Sequence, residues 1–190
     1  MISIIIVLIL ALDFIISIWN AYASGYNIGM LRKAGSTSGF SKAAAYSGLA
    51  LAFTGMTYVL IVVLSALAYA LQYVGAGVVE YAMAFDFLVF GLLIVGFGLM
   101  VTIQSIIVAA HKRSFGSIAI AIWNTFAEVW DIASYAEGFR ASVRMLKANK
   151  QSKTSAYVIV LVALLIAYLI THAAYKHGLR KAEGQNVAYA

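Results

Sequence analysis

Apolar positions in this chain fall into four long runs, at roughly residues 2–23, 43–73, 81–110 and 155–174, with almost no charge inside any of them. Each run reaches or exceeds the ~20 residues an α-helix needs to cross a ~30 Å hydrocarbon layer. The pattern predicts an all-α integral membrane protein with four transmembrane helices. The first run could pass for a cleavable leader, but no basic stretch precedes it, so it is read as a retained signal-anchor helix.

Between the third and fourth runs lies a stretch of mixed character, residues 117–136. Its apolar side chains Ile118, Ile122, Phe126, Val129 and Ala133 share one helical face. Inserting it as a fifth span would put Glu128 and Asp131 at membrane depth, at a cost of about 2.5–3.5 kcal/mol for an isolated Asp in lipid. The expectation is therefore an amphipathic helix lying on the inner membrane surface.

Charge then orients the spans. Arg32, Lys33 and Lys42 follow the first run, and Lys112, Arg113, Arg140, Arg144, Lys147, Lys150 and Lys153 follow the third. Those basic residues belong inside by the positive-inside bias. That leaves both termini, including the tail from residue 177 onward, outside a multi-pass cell-membrane protein.

Short matches recur in the same order along the chain. Ile18-Trp19-Asn20 returns as Ile122-Trp123-Asn124, Met30-Leu31 before a basic residue returns as Met145-Leu146, and Ser41-Lys42 returns as Ser152-Lys153. They suggest one membrane domain over residues 1–190, made of two duplicated hairpins in the same orientation (residues 1–75 and 80–176) with a tail over 177–190.

Composition changes the picture in two respects. The chain has 64% hydrophobic residues and a mean hydropathy of +0.94, so helix association must come from close packing and a few polar contacts rather than from exclusion of water. With no Cys, thiolate metal sites and Cys nucleophiles are excluded, and with no Pro the commonest cause of helix kinks is missing. Ala44, Gly48 and Ala52 offer small-residue spacing for close helix contact.

Candidate chemistry is sparse. Asp13 near the middle of the first run and Gln104 in the third are the intramembrane polar residues. An ionisable group at such depth is a functional-site hypothesis by default, against the plainer reading of Asp13 as packing glue to Gln104 or Thr54. Glu80 and Asp86 read as charges near the start of the third helix. Trp19, Trp123 and Trp130 fit interfacial anchors. Arg140, Arg144, Lys147, Lys150 and Lys153 form a basic set suited to anionic lipids or an acidic partner. The histidines His111, His172 and His177 fall at different depths and are not expected to pair on a haem. No motif for a catalytic, metal or nucleotide site occurs, and no cofactor is expected.

These features imply a structural or scaffolding subunit of a membrane assembly, docking through the surface helix. The alternatives are a small proton or cation channel or transporter using Asp13, and a quinone- or haem-associated anchor of a redox complex. The expected partners are the bilayer with its anionic lipids, and either other membrane subunits or further copies of the chain, without nucleic acid.

Overall fold

The computed structural model describes residues 4–35 and 39–184, so the first three residues of the proposed first unit, its residues 36–38 and the tail residues 185–190 lie outside it. Five long helices follow one another: α1 (Ile4–Lys33), α2 (Gly39–Ala70), α3 (Ala76–Lys112), α4 (Phe115–Ala148) and α5 (Lys153–Gly184), the last preceded by a short 3-10 turn over Lys150–Ser152. Four of them, α1, α2, α3 and α5, are long and apolar enough to cross a membrane. They coincide with the four apolar runs.

Apolar side chains fill the centre of the bundle and also cover its outside. Ile61 of α2, Tyr81, Ala82 and Phe90 of α3, and Ala156, Val160 and Ala163 of α5 form the core. Meanwhile Leu8, Leu92, Leu161, Leu165 and Leu169 are more than half exposed on the outer surface. A water-soluble domain would not present such a surface, whereas lipid solvates it. Helix α1 packs against α2 and α5, and α4 packs against α3.

Close approach depends on small residues. Gly25 faces the Tyr175 carbonyl, and Gly178 faces the Tyr22 carbonyl, at a crossing of α1 and α5 so tight that a Cβ at either glycine would run into the partner's backbone. One turn on, a Cβ at Gly29 would stand 2.6 Å from that of Ala182. These pairings advance together along both helices, so α1 and α5 are parallel. Across the α1–α2 contact a Cβ at Gly55 would stand 2.9 Å from Ser17 Oγ, and one at Gly48 would stand 2.7 Å from Ser24 Oγ, an antiparallel register.

The stretch expected to lie on the inner surface does something else. Helix α3 stops where Arg113 turns left-handed (φ 48°), and its N–H donates to the Ala109 carbonyl at 2.9 Å. Ser114 caps the next helix by accepting from the Ser117 N–H at 3.3 Å. A turn this short folds α4 straight back along α3.

The register then holds over the whole length. The Thr102 hydroxyl donates to the Asn124 carbonyl at 3.2 Å, Glu128 abuts Gly98, Tyr135 abuts Gly91, and Asn149 Nδ2 donates to Glu80 Oε2 at 2.8 Å. From Thr102 to Gly77, which faces Asn149, the paired length is about 37 Å at 1.5 Å per residue, more than a ~30 Å hydrocarbon layer. Helix α4 thus runs antiparallel beside α3 over that length, and the amphipathic helix expected on the inner surface is not confirmed.

Two further expectations change with it. Lys33 Nζ donates to the Glu183 carbonyl at 2.6 Å, which puts the end of α1 and the end of α5 at the same end of the bundle. The start of α1 and the end of α5 are therefore at opposite ends of the bundle. The basic residues divide accordingly: Arg140, Arg144, Lys147, Lys150 and Lys153 sit at the end opposite Arg32, Lys33, Lys42, Lys112 and Arg113. Helix α1 lies against α2, while α3 and α5 touch but are separated in sequence by the whole of α4, and the duplicated hairpins are not confirmed.

Candidate functional site

Four of the seven acidic residues lie in the body of the bundle: Asp13 on α1, Asp86 on α3, and Glu128 and Asp131 on α4. Their placement follows from the helix registers. The Tyr58 hydroxyl of α2 lies within electrostatic range of Asp86, Asp13 and Asp131 together. Asp131 is in turn within range of Asp13 on one side and of Glu128 on the other. Glu128 sits opposite Gly98, twelve residues along α3 from Asp86. The acids therefore form a staggered ladder extending about 18 Å along the helix axes.

Burial distinguishes its rungs. Asp86 is wholly buried, and neither of its carboxyl oxygens has a hydrogen-bond partner among the described residues. Glu128 is 4% exposed, and its Oε1 also has none. Asp13 and Asp131 are half-buried, on helices that make no extensive contact with each other. Ser65 of α2 is also fully buried, with its hydroxyl unpartnered among the described residues. Unsatisfied buried polar groups are rare, each costing about 1–3 kcal/mol, so several in one small bundle call for a functional explanation.

An ionised carboxylate at this depth needs a proton or a cation to compensate it. Among the described residues no three His, Asp or Glu side chains come close enough to hold a metal ion together. The rungs instead follow one another along the axis. No hydrogen bond joins them, so a proton passing between neighbours requires water or a rotamer change. Gly98 gives Glu128 its space, because a Cβ there would strike the carboxylate.

Of the residues expected from sequence, Asp13 belongs to the ladder. Gln104 is half-buried on α3 six residues beyond Gly98, outside it. Thr54, considered as a packing partner for Asp13, donates to the carbonyls of Ala50 and Leu51 in its own helix. Trp19, Trp123 and Trp130 are all exposed on the outer surface, with Trp130 next to Asp131 in the body of α4.

The histidines stay apart. His111 contacts the Ile107 carbonyl at 2.8 Å, His172 stacks on Tyr168, and His177 tilts against Tyr22. His111 and His177, expected at different depths, belong to the same end of the bundle.

Sequence reasoning missed Asp86, Glu128, Asp131 and Tyr58 as site residues. Asp86 looked like a charge at a helix start, but α3 begins at Ala76, ten residues earlier. The two acids of α4 were noticed and then used against insertion. Their signal was the combination of Glu128 and Asp131 with Tyr135 and Gly138 on a helix otherwise rich in Ile, Phe and Trp. No family model matches the chain, and no curated protein or solved structure matches it either.

Proposed function

We propose that this protein moves protons or a small cation across a membrane along the ladder formed by Asp86, Tyr58, Asp13, Asp131 and Glu128. The observation that carries this reading is Asp86, a fully buried carboxyl with no hydrogen-bond partner among the described residues, in electrostatic range of Tyr58 together with Asp13 and Asp131 from other helices. Groups of this kind persist at membrane depth where they handle ions, since packing alone is served better by apolar residues.

In this reading α4 is a fifth crossing whose polar face meets α3 and whose apolar face meets lipid through Ile122, Phe126 and Val129. With five crossings, the end bearing Arg32, Lys33, Lys42, Lys112, Arg113, Lys176, Arg180 and Lys181 carries eight basic residues against five at the other end. The positive-inside bias assigns it to the cytoplasm.

The sequence matches then acquire a different meaning. Met30-Leu31 and Ser41-Lys42 flank the α1–α2 turn, and Met145-Leu146 and Ser152-Lys153 flank the α4–α5 turn. Tyr22-Ala23-x-Gly25-Tyr26 likewise corresponds to Tyr135-Ala136-x-Gly138-Phe139. The copies are α1–α2 and α4–α5, inserted in opposite senses about α3. Inverted repeats with the ion site near the midplane between them are a common transporter plan. The scaffold reading relied on α4 as a surface docking helix and loses that support.

The test is flux. Protein reconstituted in liposomes with an internal pH dye should acidify or alkalinise the lumen when a potassium diffusion potential is imposed. Asp86→Asn and Asp131→Asn should each slow this at least about tenfold, in the range seen for removal of a proton-transfer group. Exchanging external sodium for choline separates proton from cation movement. A rate no greater than that of empty liposomes, or unchanged flux in both variants, removes the proposal.

A further inference from the structure

Away from the ladder, the last turns of α4 carry a second unexplained feature. The outward apolar band of that helix, from Ile118 through Phe126 and Val129 to Phe139, ends abruptly at Arg140. Arg144 follows one turn later and Lys147 three residues after that, all exposed and on one helical face. Lys150 and Lys153 continue from the turn into α5. Phe139, Arg140, Val143 and Arg144 line a shallow hollow on this surface.

The acids nearby do not neutralise it. Glu80 is held by Asn149 Nδ2 at 2.8 Å on the far side of the helix, and Glu137 makes no ion pair with Arg140. Two guanidinium groups one turn apart, unpaired and flanked by an aromatic ring and a branched aliphatic side chain, therefore stand at the edge of a lipid-facing band.

We infer that Arg140 and Arg144, with Lys147 above them, form a binding site for the phosphate of an anionic membrane lipid, whose acyl chains lie against Phe139 and Val143. Guanidinium donors match phosphate oxygens in a fork geometry that a lone ammonium lacks. The neighbouring lysines add electrostatic attraction at the membrane surface. The position of the site fits a lipid better than a soluble anion. Gly138, two residues before Arg140, packs on Phe87, eleven residues inside the start of α3, so the hollow opens sideways toward the bilayer rather than into bulk water.

Thermal unfolding in mild detergent tests this with three additives: phosphatidylglycerol, phosphatidylcholine and inorganic phosphate. Phosphatidylglycerol should raise the transition saturably, and phosphatidylcholine at equal concentration should not. A rise with inorganic phosphate alone would identify a free-anion site and overturn the lipid assignment.

The R140Q/R144Q variant should bind phosphatidylglycerol about 25-fold more weakly, roughly fivefold per charge removed. K176Q/R180Q/K181Q, at the other end of the bundle, should bind like the parent. Loss of binding in that second variant with retention in the first overturns the proposal, as does an equal response to both lipids. Both substituted sets are exposed, and a parent-like helical circular dichroism spectrum confirms that the variants fold. Because liposome flux is not the readout, failure here leaves the carboxyl ladder untouched.

Discussion

Replacing Gly25 by alanine adds one methyl group at the tightest point of the bundle. The new Cβ would collide with the Tyr175 carbonyl, a backbone atom that has no rotamer to escape into. Next to it, Gly29 already leaves only 2.6 Å between an added Cβ and Ala182 Cβ, where relaxed carbon contacts need about 3.5–4.0 Å. The two helices must part by about 1 Å, and a radial gap of that size forfeits a quarter to a half of each dispersion contact along the crossing.

Overpacking of this kind costs about 1–3 kcal/mol. Alanine returns up to ~1 kcal/mol through better helix propensity, which leaves a net loss of about 1–2 kcal/mol. Gly178→Ala meets the Tyr22 carbonyl at the same crossing and should cost a similar amount. Once one substitution has parted the helices the other finds room, so the double variant should lose clearly less than the sum.

Gly96→Ala is the control, because nothing lies within 4 Å of its added Cβ; it should be neutral or gain ~0.5–1 kcal/mol. Unfolding in detergent, followed by circular dichroism against added sodium dodecyl sulfate, reads all four variants. If Gly25→Ala is as stable as the parent, or Gly96→Ala is as damaging as Gly25→Ala, the parallel α1–α5 contact is wrong.

Three other outcomes are expected. The chain has no cysteine, so Ala34→Cys and Lys150→Cys introduce single labels, and a membrane-impermeant maleimide should reach them from opposite faces of oriented vesicles; labelling from one face would restore the surface-helix arrangement. Asp86→Val should be more stable than the parent by about 1–3 kcal/mol, the desolvation cost of a buried unpaired polar group, while abolishing flux; a destabilised Val variant would mean Asp86 has a partner. Tyr135→Phe removes the hydroxyl that donates to the Leu88 carbonyl at 3.0 Å but keeps the stack on Phe87, so it should cost about 0.5–1.5 kcal/mol in the same unfolding assay.

The spanning helices were legible because lipid contact demands long unbroken apolar runs, and α1, α2, α3 and α5 satisfy that locally, residue by residue. Helix α4 was not, for a reason that is also local. The cost assigned to Glu128 and Asp131 assumed that each faces lipid, whereas Glu128 is 4% exposed against Gly98 of another helix. Whether a charge at membrane depth meets lipid or protein depends on a pairing about thirty residues away, which hydropathy does not contain.

Asp13 was found because it interrupts an apolar run. Asp86 was missed because the start of α3 was set where the hydropathy rises rather than at Ala76, so a side chain about three turns inside looked like a terminal charge. The glycines at 25 and 178 gave no sign of their partnership, since nothing in either segment refers to the other.

That partnership sets the order of events during synthesis. The clasp joins the first helix to the last, so α1 enters the membrane long before Gly178 has been made. Until then its small-residue face is open to lipid or to whatever insertion factor attends it. Helices α2 and α3 can pair as they emerge, and α4 can fold back on α3 at once. The α1–α5 closure is instead long-range, and truncation anywhere before Gly178 should leave a bundle whose first helix has lost its partner.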